Sequence, residues 1–144
     1  MLLSELSGLT VMSKADATAI GTVDGIVIDP AASRVAALRL AKTSGAGSYL
    51  AWPDIHAVGP DAVMAPGRGA LRDADEELAP LTAASRDLPG KRVLTDHGEE
   101  AGTLQDIDFD PRTGGVSALL TAGGSIPGTH LIGVGSYAVV VRTP

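Results

Sequence analysis

No cysteine occurs anywhere in this chain. That excludes a disulfide framework, a thiolate metal site and a cysteine nucleophile. Aromatic residues are almost as scarce: one Trp, two Tyr and one Phe. Of the 44% hydrophobic residues, much is Ala and Val. This composition predicts two small cores of branched and small side chains, not one aromatic-rich core. No apolar run is long enough to span a bilayer, so no membrane segment is expected. The opening, Met1-Leu2-Leu3-Ser4-Glu5-Leu6, has neither a basic stretch nor a continuous apolar one. It does not read as a signal peptide, and a cytoplasmic location is the default expectation. Positive charge is scarce in one half only. Residues 1–72 hold six Lys/Arg and six Asp/Glu, whereas residues 73–144 hold five and eleven, which accounts for the whole net charge of −6. An acidic second half repels phosphate, so no direct nucleic-acid binding is expected of it.

What the chain does contain is a repeat. Gly21-Thr22-Val23-Asp24-Gly25-Ile26-Val27-Ile28-Asp29-Pro30 is followed by Arg34-Val35-Ala36-Ala37-Leu38. Gly102-Thr103-Leu104-Gln105-Asp106-Ile107-Asp108-Phe109-Asp110-Pro111 is followed by Gly115-Val116-Ser117-Ala118-Leu119. Each copy reads as a strand, an Asp-Pro turn and a returning strand, because Pro presets φ at the first inner corner and Asp caps the turn. Ile26 and Ile28 share one face by alternation, while Val23 falls on the opposite parity. Leu104, Ile107 and Phe109 repeat the misfit. A β-bulge at Asp24-Gly25 and at Gln105-Asp106 would turn all three inward.

The flanks repeat as well. Leu88-Pro89-Gly90-Lys91-Arg92-Val93-Leu94 matches Leu6-Ser7-Gly8-Leu9-Thr10-Val11-Met12, and Leu131 to Val140 matches Ile55 to Met64. The Trp52-Pro53-Asp54 step reads as a single turn after a strand and has no sequence counterpart in the second copy. Between the copies, residues 73–86 are rich in acids, Leu and Ala, and fit an acidic linker or short helix interrupted by Pro80. The chain therefore divides into a first unit (1–72), a linker (73–86) and a second unit (87–144), a tandem duplication.

The duplicated pattern is a Gly-x-x-Val/Leu start, a bulged strand ending in Asp-Pro, a Val-x-Ala-Leu return and a Gly-x-x-Ala-Val end. It resembles the PRC-barrel family, over roughly residues 4–65 and 87–141. The resemblance implies small all-β barrels of short, strongly bent strands. It also implies a role as an adaptor or assembly module, without a shared catalytic motif. It carries over no catalytic, cofactor or metal residue.

Candidate chemistry is thin. Asp106-x-Asp108-x-Asp110 resembles the start of a Ca²⁺ loop, but Pro111 and Ser117 stand where that loop needs Gly and Glu, so a solvated strand face is the better reading. His56, His97 and His130 share no ligand spacing, and no Ser lies in a nucleophile elbow. Gly45-Ala46-Gly47 and Gly123-Gly124-Ser125 do not precede a helix and a Lys, so they read as flexible loops, not phosphate cradles. A lone Trp52 before Pro reads as core, and if exposed would mark a partner site.

These observations together predict an all-β protein of two tandem small barrels. Its expected role is non-catalytic: a protein-interaction or assembly module, binding a protein partner or itself, with no metal and no cofactor. The rival readings are a small-molecule or metal-binding regulatory domain using the loops at 44–48 and 123–128, and an adaptor in RNA processing by family analogy. The two units are expected to meet about a pseudo-twofold axis. If the weakly charged strand Tyr137-Ala138-Val139-Val140-Val141 is left as an open edge, it should pair with another chain and give a homodimer.

Overall fold

The computed structural model describes residues 1–45 and 47–143. The first half carries a helical turn α1 (Leu3–Leu6) and strands β1 (Thr10–Ser13), β2 (Ala19–Asp29), β3 (Arg34–Ala41), β4 (Tyr49–Ala51), β5 (Ala57–Val58) and β6 (Ala62–Ala65). Helix α2 (Leu78–Ala84) leads to β7 (Arg92–Thr95), β8 (Glu100–Phe109), β9 (Val116–Thr121), β10 (Gly124–Pro127), β11 (Leu131–Val134) and β12 (Ala138–Val141). Two six-stranded sheets result, ordered β4-β3-β2-β1-β6-β5 and β10-β9-β8-β7-β12-β11. In both, four strands run as an antiparallel meander, and the last strand returns parallel to the first. The strand order of the two halves is the same, as the duplication predicts.

The long strands bend where their apolar phase slips. Pairing shifts between Val23 and Gly25 on β2 and between Leu104 and Asp106 on β8. The extra residues, Asp24 and Gln105, bring Val23, Ile26 and Ile28, and likewise Leu104, Ile107 and Phe109, to one buried face, each at most 2% exposed. The Asp-Pro turns also form as expected. Asp29 Oδ1 accepts the Ala31 N–H at 3.1 Å, and Asp110 Oδ1 accepts the Arg112 N–H at 2.8 Å.

Several expectations are corrected. There are not two separate cores: one buried cluster runs from Leu6, Val11 and Ile28 through Trp52 to Phe109, Leu119 and Val141. A unit of about sixty residues buries too small a fraction of its surface to stand well alone, so the two halves share an interior. The acidic segment at 73–86 holds the short helix that its composition allowed, and that helix is packed. Leu78 of α2 is buried with Val27 and Ala37 on the other face of the first sheet. Pro80 does not interrupt α2 but occupies its first turn, where backbone N–H groups lack helical partners anyway.

Two more corrections concern the second unit. Gly124 and Ser125 are not a flexible loop but open β10, paired with β9. A 3₁₀ turn at Gly128–His130 stands where Trp52–Asp54 stands in the first unit, so the step is present with a different sequence. The strand β12 is not an edge: β7 pairs with one side and β11 with the other. The homodimer expected from that edge therefore loses its ground.

The halves join about a pseudo-twofold axis. At its centre Arg34 and Gly115 form an antiparallel bridge. The Val35 N–H donates to Gly114 O at 2.8 Å, and the Val116 N–H donates to Ser33 O at 2.8 Å. Outside this bridge each half lends its leading segment to the other. α1 lies on β8 and α2 on β2. A second register shift, at Val27/Ile28 and at Asp108/Phe109, frees one N–H in each long strand. Ser85 Oγ accepts that of Ile28 at 3.0 Å, and Met1 O accepts that of Phe109 at 2.8 Å. Buried backbone donors must find partners, and here the partner comes from the opposite half.

Candidate functional site

Trp52 is core, at 8% exposure, and its place in the core is the seam between the halves. Its indole meets Phe109 edge to face, with ring centroids 6.1 Å apart and planes at 88°. It also covers Gly114 in the opposite turn. A Cβ on Gly114 would lie 2.7 Å from Trp52 Cε2, and Gly114 has φ +80°, so glycine is favoured there on two grounds. The pseudo-equivalent contact is built the other way round. Gly128 replaces the Trp and Ser33 replaces the Gly, and the Ser33 Oγ–H donates to Gly128 O at 2.9 Å. A Cβ on Gly128 would fall 1.8 Å from Val116 O.

The three aspartates stay on a partly solvated face, as expected, and each also serves as a structural acceptor. Asp106 accepts from the N–H and Oγ–H of Ser4. Asp108 pairs with the Met1 ammonium at 3.1 Å. Asp110 caps its turn, and the Arg112 N–H holds its carboxyl below the usual carboxylate value. Each is already engaged by the chain itself. Among the described residues no three His, Asp or Glu side chains are gathered as a metal site would need. His56 and His97 are exposed, and His130 is half-buried in its 3₁₀ turn.

The loop 44–48 includes Ala46, which lies outside the described residues. Its Gly47 presses on the backbone of Arg72, where a Cβ would come within 2.6 Å. Residues 123–128 fare differently. Residues 123–127 line a cleft of about 410 Å³ together with Ala101, Thr121, His130 and Arg142.

Three features escaped the sequence. A cleft of about 540 Å³ lies on the seam between Ser4, Asp24, Arg39 and Asp106. In it the Arg39 Nη2–H donates to Asp24 O at 3.1 Å over the side-chain-free Gly25. The absence of a side chain at Gly25 was visible in the sequence, but its companion Arg39 on β3 was not. Lys91 is buried, its Nζ–H donating to Ala84 O at the end of α2 at 2.6 Å. Burial pushes the Lys91 ammonium pKa down, and Asp87 opposes that shift. Lastly, Ile132 and Tyr137 are the exposed large hydrophobic residues, at 45% and 69%. The Arg92 guanidinium stands 5.4 Å over the Tyr137 ring and bonds its hydroxyl.

Among the described residues no helix is long and apolar enough to cross a membrane. No curated protein matches the chain. The model of the PRC-barrel domain matches it twice, over residues 1–71 and 82–142. Those two spans carry the two sheets of identical strand order. The chain belongs to the PRC-barrel family, as a tandem pair of its units.

Proposed function

We propose that this tandem PRC-barrel chain is a non-catalytic module that binds a protein partner. The observation that carries this reading is the surface of the second unit. Its polar groups of ordinary catalytic type are dispersed or engaged in joining the halves. Ile132 on the edge strand β11 and Tyr137 in the following turn remain exposed. Exposed apolar side chains beside an unpaired strand edge are features of an association surface. The net negative second half disfavours the RNA-adaptor alternative. The cleft beside residues 123–128 supports a second reading, a small-molecule regulatory domain, since its volume lies within the range of ligand sites.

The test is affinity capture from native lysate with the wild type and with Ile132→Asp/Tyr137→Asp. The expected result is a stoichiometric protein partner lost in the double variant at unchanged thermal stability. Absence of any partner, or a turnover that survives purification, refutes the reading.

A further inference from the structure

Another cleft, of about 300 Å³, opens on the seam between the halves. Trp52, Ile55, His56 and Val58 line it from the first half, and Pro111 and Arg112 from the second. The Trp52 ring is held in place by Phe109 and by the turn at Gly114. The basic side chains lining the cleft are His56 and Arg112, both exposed, and no carboxylate lines it. Among the described residues neither side chain makes a hydrogen bond or an ion pair; Arg112 is tied only through its backbone N–H, to Asp110. By contrast Arg34, Arg39, Arg68, Arg72 and Arg92 all donate to oxygens of the chain itself.

The pseudo-twofold axis supplies an internal comparison. Val58 faces Val63 as Val134 faces Val139, and Ala57 faces Met64 as Gly133 faces Val140. The two 3₁₀ turns and the two Asp-Pro turns correspond in the same way. Ile55, Val58 and Pro111 therefore have Leu131, Val134 and Pro30 as counterparts, so the apolar frame is common to both halves. Trp52, His56 and Arg112 instead have Gly128, Ile132 and Ala31. The groups suited to recognising a ligand thus stand on one side only. The other side of the seam closes without them, through the bond of Ser33 to Gly128.

The chemistry of the lining selects the occupant. An apolar frame beside an indole suits a ligand with an apolar body, not a bare inorganic anion. A guanidinium is always charged and offers a fork of donors that matches a carboxylate. Arg112 is one fixed positive charge, and Asp110 in the same turn offsets part of it, which suits a head group with a single negative charge. A volume at the lower limit of ligand sites leaves room for one ring or a short branched chain. We propose that this seam cleft binds a small organic carboxylate, with its apolar body against Trp52 and its head group on Arg112 and His56. The ligand touches both halves, so its binding stabilises the seam. The site is the axis-related counterpart of the Ile132 surface and does not rest on the protein-binding reading.

Benzoate and isovalerate are the probes, with benzamide and inorganic phosphate as controls. Trp52 is the only Trp in the chain, so its fluorescence reports on this cleft alone. Expected is a saturable change with a dissociation constant on the order of millimolar for so small a ligand. NMR shifts should centre on the Trp52 indole N–H, Ala57 and Arg112. Benzamide and phosphate should each bind about tenfold more weakly or worse, because each lacks half of what the cleft recognises. Arg112→Ala and His56→Ile remove exposed side chains and bring in residues of the kind found in the other half. The first should weaken binding about tenfold or more and the second about threefold. Arg86→Ala, at an exposed position beyond α2, should change nothing. No saturation by either acid, or full affinity in either cleft variant, overturns the proposal. Equal affinity for benzamide overturns it in favour of an apolar groove, and equal affinity for phosphate in favour of a general anion patch.

Discussion

The contact of Trp52 with Gly114 gives the sharpest test of how the halves are joined. Truncating a buried Trp typically costs about 3–5 kcal/mol, a large share of the total stability of a domain. Trp52→Ala should therefore destabilise by about that amount. Gly114→Ser has two separable costs. A side chain at φ +80° costs about 1 kcal/mol, and Ser33 at φ +49° in the equivalent turn shows that the backbone accepts a serine there. The new Cβ, placed 2.7 Å from the indole, adds an overpacking cost of about 1–3 kcal/mol. Without the indole only the backbone cost remains. The double variant should thus be more stable than the sum of the single effects by about 1–3 kcal/mol. Urea unfolding of the four proteins, with slopes held equal, measures this coupling. Additivity within about 0.5 kcal/mol would refute a direct contact across the seam.

Three further outcomes follow from single groups. Ser85→Ala should cost about 1–3 kcal/mol, because it leaves the buried Ile28 N–H without an acceptor; amide exchange at Ile28 should quicken, and Ser85→Thr should restore protection. Asp16, Asp96 and Asp110 are held below the unfolded value of 3.8, chiefly by Thr18, Thr143 and Arg112 respectively. Their stabilisation is complete above that pH and is lost as pH falls through the lower folded values, so Asp96→Asn should flatten the acid limb of a stability–pH curve. Lys91 has the opposite consequence on the alkaline side. Its folded pKa lies below 10.5, so the unfolded chain binds more protons and stability rises with pH up to that value. Lys91→Leu, matching Leu9 in the first unit, should abolish the rise.

The repeat was legible because hairpins depend on local chemistry. Asp29-Pro30 and Asp110-Pro111 announce their turns, and the parity conflict among Val23, Ile26 and Ile28 announces a bulge. What could not be read was long-range exchange. Nothing local in Leu78 or Ser85 says that they serve β2, a strand some fifty residues earlier. The acidic composition around α2 suggested a solvated linker because only one face of that short helix is apolar. The edge status of β12 was misjudged for a related reason. Parallel insertion beside β7 is a tertiary event, and the run Ala138-Val139-Val140-Val141 looks the same at an edge or inside a sheet.

The two units differ where a functional surface would be expected to diverge. Duplication starts with equal halves, so each departure from equivalence needs a physical reason. Some departures complete the seam: Trp52 over Gly114 on one side, Ser33 on Gly128 on the other. Others exchange apolar docking for polar docking, as where Val27 packs with Leu78 but its counterpart Asp108 pairs with the Met1 ammonium. The remaining ones exchange large core side chains for smaller ones that still touch the fold, Ala101 against the core and Thr121 donating to Gly124 O. Ile20 becomes Ala101 and Leu40 becomes Thr121, and these smaller side chains line the 410 Å³ cleft. A stability-driven drift would fill such a cleft, because burying a larger side chain there adds apolar contact at little cost.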